Sequence, residues 1–229
     1  MFASSKVQSE SEYEAFVFAT SSRFWARHTS VAAAILSSPD TSRGSIRTFG
    51  CRVNAVDGIL RSFDVGTPAH KTTVIDRGIY RGFLHSLETS GMLKARPTGN
   101  GRAQDFGRRV WVRMTNTYFG AGRDKKDEIL EETKSGVLTR KWISGMEDPV
   151  GGSFQAVTQS GFRITKGEVG ERVRGMTLTG NALSILKSVD RVSKEISLDG
   201  GSCGKGEEDY VPVAAGGPYM RCKIVVGGG

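Results

Sequence analysis

The chain has 229 residues, 38% of them hydrophobic, with a net charge of +8 and a sequence pI near 9.6. That length suits one main buried core, or one core with a small appended lobe. No apolar run of about eighteen residues occurs, and the opening MFASSKVQSESEYEAF lacks the basic flank and apolar stretch of a secretory leader, so a cytoplasmic protein is expected.

The chain divides at about residue 50. Residues 1–50 are Ser-rich and poorly patterned, with one Ala-rich run at 31–36 that suits a buried helix. From about Val53 onward, runs rich in Val, Ile, Thr and aromatics alternate with Gly-centred turns, as in KTTVIDRG, RVWVRMTNTYFG and SFQAVTQSGFRITKGEVG. This predicts an α+β domain over 51–229, an antiparallel sheet with a few helices packed on it.

Asp76-Arg77-Gly78 and Thr165-Lys166-Gly167 each put a glycine where a hairpin needs positive φ. In RVWVRMTNTY, alternation sends Val110, Val112, Met114, Asn116 and Tyr118 to one face and Arg109, Trp111, Arg113, Thr115 and Thr117 to the other. A helix is predicted from an Asp124 cap, with Asp127 and Glu128 in its first turn and Ser135-Gly136 as its stop. A second is predicted over about 181–192, with Ala182, Ile185, Leu186, Val189 and Val192 as its apolar stripe and Arg191 and Lys194 at its C-terminal end. The closing Gly227-Gly228-Gly229 reads as a frayed tail.

Cys51, Cys203 and Cys222 are an odd number without close pairing, which favours thiols in a reducing compartment over a disulfide framework. Arg108, Arg109 and Arg113, and the stretch 187–194, are interrupted by apolar or acidic residues, so solvated faces explain them better than a nucleic-acid site. Gly200-Gly201-Ser202-Cys203-Gly204 fits the G-x-S-x-G spacing, but a nucleophile elbow needs a following helix and Lys205-Gly206-Glu207-Glu208-Asp209 predicts a loop. Gly99-Asn100-Gly101 lacks the Lys-Ser/Thr that gives a phosphate loop its counter-charge. Cys203 sits among glycines and beside Lys205, whose charge favours the thiolate that metals require; an inert thiol in a turn is the plainer alternative. His28, His70 and His85 are far apart in sequence.

Several segments together carry a resemblance. RGFLHS (81–86), PTGNGRAQ (97–104) and RMTNTY (113–118) are followed in order by Asp148-Pro149 with GGSF (151–154), MTLTGNAL (176–183), SCGK (202–205), VPV (211–213) and GGP (216–218). This pattern, over roughly residues 53–225, resembles the TldD/PmbA family in its TldD form. The resemblance implies an antiparallel β-domain with helices and one divalent metal, zinc by expectation, held by two His of an H-E-x-x-x-H helix and a late Cys. It also implies peptide substrates and a heterodimeric partner subunit of the same family. Cys203 falls on that late Cys.

The H-E-x-x-x-H helix does not occur in this sequence. The nearest segment is RFWARH (23–28), where His28 takes the second ligand's place, Arg23 replaces the first His and Phe24 replaces the glutamate that should activate water. No catalytic residue is then expected, His28 and Cys203 are the expected metal ligands, and metal occupancy is expected to be weak. The chain looks truncated ahead of about residue 50. It is expected to be a metallopeptidase relative impaired in hydrolysis, with a non-catalytic peptide-binding or partner subunit as the alternative.

Overall fold

The computed structural model describes residues 11–18, 52–56, 62–63, 67–68, 70–148 and 150–228. In chain order the strands are β1 (Ser11–Phe18), β2 (Arg52–Val56), β3 (Ser62–Phe63), β4 (Thr67–Pro68), β5 (Thr72–Asp76), β6 (Ile79–Tyr80), β7 (Gly101–Arg102), β8 (Trp111–Val112) and β9 (Asn116–Phe119). They continue as β10 (Ser135–Glu147), β11 (Ser153–Thr165), β12 (Glu168–Asn181), β13 (Arg191–Val192), β14 (Ser197–Lys205), β15 (Glu208–Gly217) and β16 (Tyr219–Gly228). Three short helices interrupt them: α1 (Leu87–Met92), α2 (Lys126–Glu131) and α3 (Ala182–Ser188). The α+β class and the largely antiparallel pairing are as predicted.

Two larger sheets organise the chain. The first runs β1-β10-β11-β12-β16, and β1 also pairs with β16, so its strands close into a ring with β13 attached to β16. Val137, Ala156, Met176, Leu178, Ile224 and Val226 cluster within this sheet. The second sheet is open, in the order β14-β15-β9-β2-β5-β6. Ile75 and Phe119 from the second sheet meet Val189, Val192, Met220 and Cys222 from the first and its flank, so one apolar cluster joins the two. Burying such side chains contributes roughly 1.5–3 kcal/mol each.

Both predicted hairpins form. Asp76 pairs with Ile79 and Thr165 with Glu168, leaving two-residue turns in which Arg77, Gly78, Lys166 and Gly167 all have positive φ. Two successive left-handed residues match the right-handed twist of the flanking strands, which is why these turns suit tight hairpins.

The helices differ from expectation. Asp124 does not cap α2; Lys125 holds the cap position, and Glu128 Oε2 accepts from its backbone N–H. Asp124 instead accepts from Val192 N–H (3.1 Å) and faces Arg191 (3.5 Å), tying the approach to α2 onto β13. Ser135 and Gly136 belong to β10 rather than to a helix stop. The second helix begins at the Asn181 cap, as predicted, but ends at Ser188; Val189 is extended and Val192 lies in β13. Arg191 and Lys194 therefore lie beyond that helix. Gly227 and Gly228 pair with Thr177 and Met176, so the expected frayed tail is β-structure up to Gly228. The predicted alternation in RVWVRMTNTY breaks at 113–115, where Arg113, Met114 and Thr115 are all buried between β8 and β9. Ser11–Phe18 forms β1 within the stretch expected to be poorly patterned.

Candidate functional site

Four of the motif segments, 81–86, 97–104, 113–118 and 202–205, meet around Arg113. Its side chain is 1% exposed and that of Glu208 is 0%, and Arg113 Nη1 donates to Glu208 Oε2 at 2.6 Å. Arg113 Nη2 donates to the Cys203 carbonyl oxygen (2.7 Å) and stands 3.4 Å from Cys203 Sγ. Two buried charges are costly unless they are paired and further hydrogen-bonded. Here the second carboxylate oxygen, Glu208 Oε1, accepts from Gln104 N–H (2.8 Å), and Asp209 N–H donates back to Gln104 Oε1 (2.9 Å).

The glycine-rich turn supports the same residue from the other side. Arg113 N–H donates to the Asn100 carbonyl (2.8 Å), and Asn100 Nδ2 donates to the Arg113 carbonyl (3.0 Å). The Thr98 hydroxyl accepts from His85 N–H (2.6 Å) and donates to Asn100 Oδ1 (2.7 Å). Ser86 and Thr89 close a capping box at the start of α1, which fixes the chain as it leaves His85. The signature segments 81–86, 97–104, 113–118 and 202–205 thus share one hydrogen-bonded network.

Cys203 is buried in β14 and packs with Met114, Val213 and Ala215. The G-x-S-x-G run lies inside that strand and leads into a hairpin, with Lys205 paired to Glu208. Lys205 Nζ donates to the Val112 carbonyl (2.7 Å), and Arg102 Nη1 donates to the Met114 carbonyl (3.0 Å). Burial pushes the Lys205 ammonium below its usual value, with the Arg113 charge adding to it and Cys203 opposing. Burial likewise lowers the Arg102 guanidinium, with Arg113 acting in the same direction against Cys203 and Glu208. The surround of the thiol is therefore cationic.

Of the predicted site residues, Cys203 is in the network, while Arg23, Phe24 and His28 lie outside the described residues. His85 is buried, with Nδ1 3.4 Å from Thr89 Oγ1, and exposed His70 has Nδ1 3.2 Å from the Pro68 carbonyl. Among the described residues no group of three or more His, Cys, Asp or Glu could hold a metal ion. One thiol beside a guanidinium does not make a zinc site, so the described residues alone do not fit the metal that the resemblance implies. Arg113 and Glu208 went unrecognised as a pair in the sequence because 95 residues separate them. The available signal was that both stand inside or next to the motif segments.

Comparison with known proteins agrees with this convergence of motifs. The profile of the PmbA/TldA metallopeptidase C-terminal domain matches residues 48–228. A protein of Archaeoglobus fulgidus named metalloprotease is 39% identical over 165 residues, covering 72% of this chain and 38% of that protein. A metalloprotease TldD homolog of Haemophilus influenzae is 32% identical over 75% of this chain and 36% of its own length. A zinc metalloprotease TldD homolog of Saccharolobus solfataricus is 32% identical over 72% and 37% respectively. The chain thus spans under two-fifths of the length of these relatives.

Two solved structures share the fold. TldE from Thermococcus kodakarensis superposes with TM-score 0.68 at 17% identity, over 95% of this chain and 51% of that one. A suggested modulator of a DNA gyrase from Thermotoga maritima gives TM-score 0.71 at 18% identity, over 97% and 51%. With the profile covering most of the chain and the relatives above 30% identity, the chain belongs to the TldD/PmbA family, which it matches through that family's C-terminal domain.

Proposed function

We propose that this chain handles peptides as a cytoplasmic TldD-type metallopeptidase relative and is impaired in hydrolysis on its own. The observation that carries this reading is the partner of the Cys203 thiol: a guanidinium stands 3.4 Å away, where a zinc centre would need further imidazole or carboxylate donors. The names of the relatives support metal chemistry in the family. In this chain His28 is the remaining imidazole that could join Cys203, and Phe24 offers no proton acceptor for water. The chain's own residues orient the thiol through Arg113, which Glu208 holds in place.

The second reading, a peptide-binding or partner subunit within a TldD/PmbA complex, is favoured by the position of β14. It forms one end of the open sheet, with β15 as its neighbour, and carries Cys203 along its length. An extended peptide laid beside such a strand needs backbone hydrogen bonds and alternate pockets, not a metal.

Metal analysis of the purified chain should find well under one zinc per chain, and unstructured peptide or denatured casein should stay intact. Stoichiometric zinc together with chelator-sensitive cleavage would overturn the impairment. Cys203→Ala should abolish whatever zinc is retained if the thiol is a ligand, and should leave it unchanged if the thiol only packs.

A further inference from the structure

The open sheet has a second end, β6, which the peptide-handling reading leaves aside. β6 follows a two-residue turn, so Asp76 and Ile79 close the hairpin. The next pair, Ile75 and Tyr80, then falls where an antiparallel ladder exchanges no hydrogen bonds. Arg81 N–H donates to the Val74 carbonyl at 2.8 Å, which continues the alternation. The backbone N–H and C=O of Tyr80 therefore point away from β5, and among the described residues no strand pairs with β6 on that side. A strand edge open in this way is a template for one more strand.

The side chains along this edge are apolar on both faces. Ile79 is 55% exposed on one face of β6. Tyr80 turns to the other face, against the cluster between the sheets, and the half-exposed Phe83 ring stands edge-on to it at 5.1 Å. The charge at the edge is one-sided. Arg77 and Arg81, both well exposed, lie two residues either side of Ile79 and face a single carboxylate, Asp76, at 3.8 and 3.6 Å. Two guanidiniums on one largely buried carboxylate leave the edge positive, so a segment that complements it carries acidic as well as apolar side chains.

We infer that β6 is a docking edge for an extended segment of a partner protein in which apolar and acidic side chains alternate. The open N–H and C=O of Tyr80 supply ladder hydrogen bonds, Ile79 and Phe83 supply the apolar contacts, and Arg77 and Arg81 select acidic over basic segments. This edge is at the opposite end of the sheet from β14 and Cys203. It needs neither the thiol nor a metal, so it stands apart from the peptide-handling reading.

Calorimetric titration of the full chain with three short peptides, acetylated and amidated, tests it. One alternates valine with glutamate, the second valine with lysine, and the third serine with glutamate. The valine–glutamate peptide should bind about tenfold more tightly than either of the others, because it alone offers both apolar contacts and opposite charge. With that peptide bound, the Tyr80 amide should exchange with deuterium several-fold more slowly when followed by NMR. Ile79→Lys, at an exposed side chain, should remove the binding, whereas Val150→Lys, at a position 93% exposed elsewhere on the chain, should leave it unchanged. Equal binding of the glutamate and lysine peptides, or an unprotected Tyr80 amide, overturns the docking edge. A dimer of the unaltered chain in sedimentation that Ile79→Lys dissociates would give the edge to a second copy and overturn the partner's acidic chemistry.

Discussion

Arg113 brings a guanidinium into a space nearly free of solvent, and its hydrogen-bond partners offset that transfer. Glu208 supplies the opposite charge, Gln104 satisfies the far side of the carboxylate, and the Cys203 carbonyl takes a further N–H. Removing one member leaves the other as an uncompensated buried charge, which is worse than removing both. Glu208→Gln should therefore lower the unfolding free energy by about 3–5 kcal/mol, and an Arg113→Met, Glu208→Leu double variant should recover much of that loss. Urea unfolding of the three proteins checks it; a loss below about 1 kcal/mol in Glu208→Gln would mean that the pair contributes little. Residue patterning pointed elsewhere, placing Arg113 on a strand face shared with exposed Arg109. Periodicity reports which face a side chain takes and carries no information on a partner 95 residues downstream. Cys203 drew notice because its glycine-flanked motif is local and matches the family pattern; that the Arg113 guanidinium stands beside its thiol was not readable there.

At the scale of single elements, what was legible followed from short-range chemistry. The turns at Arg77-Gly78 and Lys166-Gly167 need left-handed backbone, and glycine announces it. Asn181 caps α3 through Oδ1 to the N–H groups of Leu183 (3.1 Å) and Ser184 (3.3 Å), again within three residues. The failures came from longer reach. Asp124 caps nothing because its carboxylate is taken by Val192 N–H and Arg191. Val189 and Val192 keep helical spacing yet end up in the apolar cluster between the sheets by way of extended backbone. Gly167 offers a test of the turn, since φ is +85° and an added Cβ would collide with the Glu131 carbonyl oxygen. Gly167→Ala should cost about 1–3 kcal/mol by strain and by displacing α2 from the hairpin. Thermal unfolding should show a clear fall in Tm, whereas an unchanged Tm would mean that the turn relaxes freely.

For the whole molecule, alkaline stability should carry the signature of one tyrosine at the seam between the sheets. Tyr80 packs against the apolar cluster that joins them, its hydroxyl has no protein partner, and burial raises its pKa to about 12. The folded state thus prefers the neutral phenol. Its contribution is complete below the ordinary tyrosine pKa of about 10 and is lost as pH rises from there through the folded value. Urea midpoints followed across that range should fall, and Tyr80→Phe should flatten the part of the fall due to this group. Equal slopes in the two proteins would assign the alkaline loss to other groups.

The first sheet has one further property that arises from its connectivity. Eight successive residues of β1, from Ser11 to Phe18, lie opposite β16 from Val226 back to Tyr219, and β1 meets β10 on its other side. A circle of strands offers no outermost member from which pairing can peel inward, so loosening must break two seams together. The stretch that bonds the earliest described strand to the last one thus acts as the clasp of the ring, and it makes separation of these distant parts of the chain a single concerted event rather than gradual fraying.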